Sequence, residues 1–152
     1  MLNECLAALQ VKLEELNLPV LGSEVVIAMD RDVRVPIELD LGPNQLPAVV
    51  MNYQGDGNID RSGSNKYKYF FRGSVLICVY NFRLKKATEE LNELTFGKSG
   101  VYKKLMEIPA PTIEGQPLRR NITGARPRNF TGKEDKDFYL MEEILCDLEI
   151  WL

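Results

Sequence analysis

Two apolar segments separated by a polar run dominate the middle of the chain. They span residues 46–53 and 67–84 and are rich in β-branched and aromatic residues, which favour strands. The connecting run, residues 54–66, contains three glycines and has Ile59 as its only apolar residue, a composition typical of turns. The sequence therefore predicts a long β-hairpin.

The second arm of this hairpin is 18 residues long, whereas strands usually have about 3–10 residues. The arm either breaks near Gly73, because a missing side chain often marks a bulge, or projects beyond the domain. An apolar ribbon that projects into water needs a cover, and a neighbouring subunit is the simplest one. The hairpin therefore points towards assembly.

Periodic apolar patterns predict helices on both sides of the hairpin. Apolar residues at intervals of three and four over residues 2–16 predict an amphipathic helix that ends before Pro19. Residues 85–96 form a second pattern of this kind. Ser99 is then expected to cap a third helix, which runs to about Glu107.

The remaining segments predict strands and loops. Residues 25–29 indicate a short strand, and residues 30–43 a loop. The stretch 109–136, with four prolines and three glycines, predicts an extended loop with one weak strand near 118–122. Strict alternation predicts a final half-buried strand, whose core face would carry Ile144, Cys146, Leu148, Ile150 and Leu152.

Together these elements predict an α+β fold: a mostly antiparallel four- to five-stranded sheet with a long β-hairpin and the helices packed on one face. The length of 152 residues fits one domain over residues 1–152. The sequence has no apolar window near the about 18–20 residues of a membrane span, so we expect no membrane partner.

Histidine is absent, which removes the commonest general base and zinc ligand. The three cysteines lie far apart within apolar patterns, which favours buried reduced thiols over a disulfide framework. Residues 56–60 open like a calcium loop, but Arg61 and Tyr67 stand where glycine and glutamate are needed. We therefore expect a non-enzyme with no catalytic residue, cofactor or metal.

Charge is segregated along the chain. Residues 1–60 hold ten acids and three bases, residues 61–136 hold sixteen bases and seven acids, and residues 137–152 hold five acids and no base. If these segments reach opposite faces of the fold, identical subunits could meet head to tail and close into a ring. The alternative is that the charges interleave in space and cancel.

The basic stretch after residue 118 contains Arg119, Arg120, Arg126 and Arg128 among prolines and glycines. Their guanidinium groups are expected to face solvent or a partner, because so few apolar residues accompany them. Arginine pairs with phosphates, so a nucleic-acid-binding module is one alternative. We favour docking to an acidic protein surface, because the chain is acidic overall and Phe130 is the only aromatic residue in the stretch.

The chain also resembles the tail terminator proteins of Mu-like contractile-tailed bacteriophages. The likeness is one of order and local pattern. It runs through residues 46–55, 73–83, 100–106 and 113–118, and closes on the carboxy-terminal strand. These segments cover roughly half of the chain and are spread along its length.

The resemblance implies a structural protein of the virion, located at the tail and neck and assembled in the host cytoplasm. Six copies would form a ring that caps the head-proximal end of the tail tube, stops tube polymerisation and offers a docking surface to the neck. The implied partners are further copies of the chain, the tail tube protein and a neck or connector protein, with the sheath as a further possibility. The alternatives are a head-tail connector or other neck protein, a cytoplasmic nucleic-acid-binding module and, last, an enzyme of unknown type.

Exposure and charge place the candidate interface in two regions. The first is the hairpin loop and the arm that follows it, and the second is the basic loop of residues 119–136. The candidate interface residues are Asp56, Asp60, Arg61, Lys66, Tyr67, Tyr69, Arg119, Arg120, Arg126 and Arg128.

Overall fold

A computed structural model describes residues 1–15, 26–30, 46–53, 58–61, 65–127, 130–131 and 138–152. Its helices are α1 (Leu2–Glu14), α2 (Leu84–Phe96) and α3 (Val101–Glu107). Its strands are β1 (Val26–Asp30), β2 (Ala48–Tyr53), β3 (Asn58–Arg61), β4 (Tyr67–Phe71), β5 (Gly73–Asn81), β6 (Thr112–Ile113), β7 (Gln116–Pro117), β8 (Arg119–Pro127), β9 (Phe130–Thr131) and β10 (Phe138–Trp151). None of the helices among these residues is long and apolar enough to cross a membrane.

Within the described residues, eight strands form one sheet in the order β1-β2-β5-β10-β4-β3, with β8 and β9 also paired to β10. β6 and β7 form a separate two-stranded hairpin. β1 and β2 are parallel, and the other pairs of the large sheet are antiparallel. The predicted α+β class with a mostly antiparallel sheet is confirmed.

The sheet has more strands than the predicted four or five because three of its rows are interrupted. Leu145 of β10 lies opposite Ser74 of β5, and Leu148 lies opposite Phe71 of β4, so the pairing register does not change between them. β4 and β5 therefore form one row along β10, broken only at Arg72. β8 and β9 share a row on its other side, and β2 and β3 share the row beyond β5 and β4. The eight strands thus occupy five rows.

The long hairpin is confirmed, with two changes. The polar run predicted as its connection contains β3, which pairs with β4. The second arm breaks at Arg72, immediately before Gly73. It does not project as a free arm, because β4 pairs with β3 on one side and with β10 on the other.

The glycine at this break is explained by an aromatic ring. Tyr53 lies opposite Gly73, and a Cβ atom at Gly73 would be 2.1 Å from Cδ1 of that ring. Beyond the glycine, the Tyr53 hydroxyl donates a hydrogen bond of 2.6 Å to the Cys146 carbonyl on β10. The Gly73 N–H meets Oδ1 of Asp147 at 3.4 Å. The missing side chain therefore lets Tyr53 cross the row between β2 and β10.

The three helices share one hydrophobic cluster with one face of the sheet. Leu9 and Leu13 of α1 are fully buried in it, together with Ala87 of α2 and Leu105 of α3. The helical stripes predicted for α1 and α2 are therefore confirmed over their described residues. The predicted cap at Ser99 is wrong, because α3 begins one residue later and has Gly100 as its N-cap.

The final strand buries four of the five residues predicted for its core face: Ile144, Cys146, Leu148 and Ile150 are each 0% exposed, whereas Leu152 lies beyond the strand and is half-buried. The strand begins earlier than the alternation suggested, at Phe138. Its first half also buries Met141 on the opposite face, in a second cluster with Val50, Leu76 and Cys78. Both faces of this part of the sheet are therefore buried. Burial raises the pKa of the Cys78 thiol to about 12, and all three cysteines are buried and free, as predicted.

The prediction of an extended loop over residues 109–136 is wrong, because this stretch contains β6, β7, β8 and β9, although β8 overlaps the weak strand predicted near 118–122. Eight of the nine residues of β8 pair with β10 along the edge that β5 and β4 leave open, and Thr123 is left without a partner at a bulge. Their side chains alternate between half-buried and exposed from Arg119 to Thr123, as in a strand with one covered face. β1 lies one residue beyond the predicted strand at 25–29, and the predicted loop after Asp30 lies outside the described residues.

The contact between Tyr53 and Gly73 gives a direct stability test. We expect Gly73→Ala to destabilise the protein by about 1–3 kcal/mol, because the new methyl group overlaps the Tyr53 ring. In a Tyr53→Ala background the same substitution should cost much less, since the ring is gone. Chemical denaturation of the four proteins measures this coupling, and additive effects would contradict the proposed role of the glycine.

Candidate functional site

The structure brings most of the predicted interface residues to one end of the sheet. Asp56 and Arg128 lie outside the described residues. Tyr69 lies opposite Ile150 on one side of β10, and Arg119 lies opposite Glu149 on its other side. The predicted residues at this end are Asp60, Arg61, Lys66, Tyr67, Tyr69, Arg119 and Arg120. The hairpin and the basic segment, separate in sequence, therefore meet around the last residues of β10.

A cleft of about 420 Å³ opens at this end of the sheet. It is lined by Lys66, Gln116, Pro117, Arg119, Glu149 and Trp151. One wall is fixed by Leu118, which is fully buried and whose N–H donates a 2.8 Å hydrogen bond to the Pro111 carbonyl. The opposite side is fixed by two backbone hydrogen bonds between Tyr67 and Leu152. The cleft is therefore built on anchored backbone.

The glutamate in the cleft is neutralised by its neighbours. Oε2 of Glu149 lies 3.3 Å from the Lys68 ammonium group. Oε1 of the same carboxylate accepts a 3.0 Å hydrogen bond from Nε1 of Trp151. The Lys68 ammonium group also lies 5.7 Å from the centre of the Trp151 ring, within the range of a cation–π contact. These three contacts hold the indole in place.

The two remaining charged groups of the cleft are positive. Lys66 and Arg119 are both exposed. The Arg119 guanidinium has no ion pair or hydrogen bond with any other described residue. Since Lys68 already balances Glu149, Arg119 gives the cleft a positive charge that no described residue balances.

Arg120 is not a surface residue of the kind predicted. Its side chain lies on the same side of β8 as Ile122, towards the main core, and its Nη2 donates a 2.6 Å hydrogen bond to the Ile108 carbonyl. Burial lowers the pKa of this guanidinium from its usual value. Arg120 therefore ties β8 to the end of α3, which corrects the expectation that it faces solvent or a partner.

Arg126 also has a partner within the chain. It lies opposite Glu143 of β10. Glu143 comes six residues before Glu149 on that strand, which places it roughly 20 Å from the cleft. Its Nε donates to Oε1 of Glu143 at 2.5 Å, and Ser74 donates to Oε2 of the same carboxylate at 3.0 Å. Glu143 is only 3% exposed. Arg126 therefore compensates a buried charge, while its side chain remains 57% exposed and so faces solvent as expected.

The β3–β4 hairpin adds exposed apolar surface at this end of the sheet, on the face opposite the side chains of Glu149 and Trp151. Ile59 is 59% exposed and Tyr67 is 43% exposed. Tyr69 is half-buried and packs against the main core. Asp60 and Arg61 are exposed on the same short edge strand. The hairpin therefore exposes both apolar and charged side chains at this end of the sheet.

Sequence reasoning missed five residues that line or support the cleft, Lys68, Gln116, Pro117, Glu149 and Trp151, although the core face predicted for the last strand puts Trp151 on its outer face. That outer position was the available signal, because an aromatic residue opposite a buried face must meet solvent or a ligand. The described residues contain no group of three or more side chains placed to hold a metal ion. The arrangement offers anchored charges and one indole, which are suited to binding.

Comparison with protein-family models and with curated proteins finds no match for this chain.

Two arginines of β8 provide a matched test of these assignments. We expect Arg126→Ala to destabilise the fold by about 1–3 kcal/mol, because it removes the guanidinium that donates to the buried Glu143 carboxylate. Arg119→Ala should change stability by no more than about 0.5 kcal/mol, since its side chain is exposed. Thermal melts measure both, and equal effects would contradict the different roles.

Two adjacent glutamates of β10 should respond in opposite directions at pH 7. Glu142 is 8% exposed, has no ion pair or hydrogen bond with a described residue, and burial raises its pKa above the ordinary 4.5. The folded state therefore holds this proton to a higher pH than the unfolded state, so stability falls as pH rises through that window. Glu142→Gln should raise the melting temperature at pH 7, with a smaller gain at pH 4.

The matched variant Glu143→Gln should lower the melting temperature at pH 7, because it removes the charge that pairs with Arg126. Scanning calorimetry of both variants across this pH range makes the comparison. Stabilisation by both substitutions would show that the Arg126 pair contributes nothing.

Proposed function

We propose that this chain is a phage tail terminator, a structural protein that caps the head-proximal end of a contractile tail tube. Six copies form a ring, stop further tube polymerisation and offer a docking surface to the neck. The observation that carries the proposal is the gathering of the hairpin and the basic strand, two of the regions expected to make contacts, at one end of the sheet. The resemblance in the order of sequence segments to tail terminators of Mu-like phages supports it.

The mechanism is complementarity between surfaces, with no bond made or broken. One face of the ring matches the last ring of the tube, and the other face cannot accept another tube subunit. Head-to-tail contacts between identical subunits close into rings when the rotation between them allows it. This end of the sheet suits such contacts, because its two edges carry different groups. The β3 edge exposes Asp60 and Ile59, whereas the β8 edge begins with exposed Arg119.

The same geometry favours a protein partner over nucleic acid. Of the basic residues that suggested nucleic-acid contact, Arg120 and Arg126 are engaged inside the chain. A groove for a nucleic-acid strand uses a continuous row of cations with several stacking rings. Among the described residues the cleft offers one indole, that of Trp151, with Lys66 and Arg119 beside it.

The proposal places the protein in the virion, at the junction of tail and neck, after assembly in the host cytoplasm. Its partners are further copies of itself, the tail tube protein and a neck or connector protein, with the sheath as a further neighbour. Cryo-electron microscopy of tails from the phage that encodes the chain tests this location. We expect a ring of this protein directly on the last tube ring.

Native mass spectrometry of the chain with its tube protein provides the subunit number, which we expect to be six. A ring found in the head-tail connector instead would replace the proposal with the neck-protein alternative. Tails that lack the chain at their upper end would contradict it outright.

A further inference from the structure

The cleft at the end of β10 has the charge and shape of a binding site. We infer that it receives an acidic segment of a partner protein, with a carboxylate held between Lys66 and Arg119 and the adjoining apolar atoms against Trp151 and Pro117. The partner is defined by its acidic chemistry. Only its identity as a tail or neck protein rests on the proposed function.

The charged groups of the cleft favour an acidic ligand. Glu149 is already paired with Lys68 and accepts the indole N–H, so both of its oxygens are engaged. Arg119 is exposed and has no partner among the described residues. Its planar guanidinium can bind a carboxylate through two parallel hydrogen bonds, which are stronger than those between neutral groups.

The volume of the cleft and the fixed position of the Trp151 ring favour a short segment of polypeptide. Pockets that enclose a ligand usually measure about 300–1,000 Å³, and this cleft, at about 420 Å³, lies in the lower part of that range. Trp151 and Pro117 supply apolar surface beside the two cations. The Trp151 ring is held by Glu149 and Lys68, so little side-chain entropy is lost when a ligand packs against it.

The chain offers a specific reporter, because Trp151 is its only tryptophan. The experiment titrates the full-length protein with N-acetylated octaglutamate and follows tryptophan fluorescence, with calorimetry as a second readout. We expect a saturable change that weakens as salt is added. Arg119→Glu and Lys66→Glu should each weaken octaglutamate binding by about tenfold or more.

The matched control is Lys98→Glu, which changes net charge equally at an exposed residue that does not line the cleft. It should bind octaglutamate within about twofold of the unchanged protein, since its charge lies outside the site. Equal weakening by all three substitutions would overturn the inference, because it would show attraction to overall charge. Far-ultraviolet circular dichroism confirms that each variant is folded before titration.

An oligothymidylate of eight nucleotides, titrated in parallel, tests the nucleic-acid alternative. Tighter binding of this oligonucleotide than of octaglutamate, lost in Arg119→Glu, would overturn the inference in favour of that alternative, as would failure of octaglutamate to bind at all. The titration uses no tail component. Octaglutamate binding by a protein absent from tails would therefore contradict the proposed function while the cleft assignment stands.

Discussion

The last strand, β10, is paired along both of its edges, and the rest of the sheet takes its position from those pairings. The row formed by β4 and β5 follows one edge without a change of register, and β8 follows the other. Tyr53 adds a cross-link, because its hydroxyl reaches over Gly73 to the Cys146 carbonyl. Burial raises the pKa of Tyr53 well above its usual value, so the phenol keeps the proton that it donates. Three rows of the sheet are thereby fixed together near their middle.

Local patterns in the sequence predict much of this fold. The stripe of α1, the arms of the hairpin and the buried face of β10 each arise from periodicity within one segment, where burial decides the pattern. β8 was predicted only as a weak strand near 118–122, because it is an edge strand with one covered face and therefore has few apolar residues. What makes it a strand is the open edge of β10, about twenty residues later, and such a non-local requirement leaves little trace in the segment itself.

The candidate site was likewise predicted only in part from the sequence. Exposure and charge identified Lys66 and Arg119, but their meeting depends on the pairing of two distant segments with β10. Composition could not separate Arg119 from Arg120 and Arg126, because all three lie among prolines and glycines. The structure distinguishes the three arginines. The alternation of β8 turns Arg120 towards the Ile108 carbonyl, and Arg126 pairs with the buried carboxylate of Glu143. Basic residues in one segment thus have three different roles.

We propose that this chain ends a tail tube by binding to it and blocking the addition of a further subunit. The most direct measurement is the length distribution of tubes assembled from purified tube protein of the same phage, with and without this chain, by negative-stain electron microscopy. We expect the chain to halt growth, so that tubes become shorter and carry a ring at one end. Tubes that grow to the same lengths with bare ends would contradict the claim.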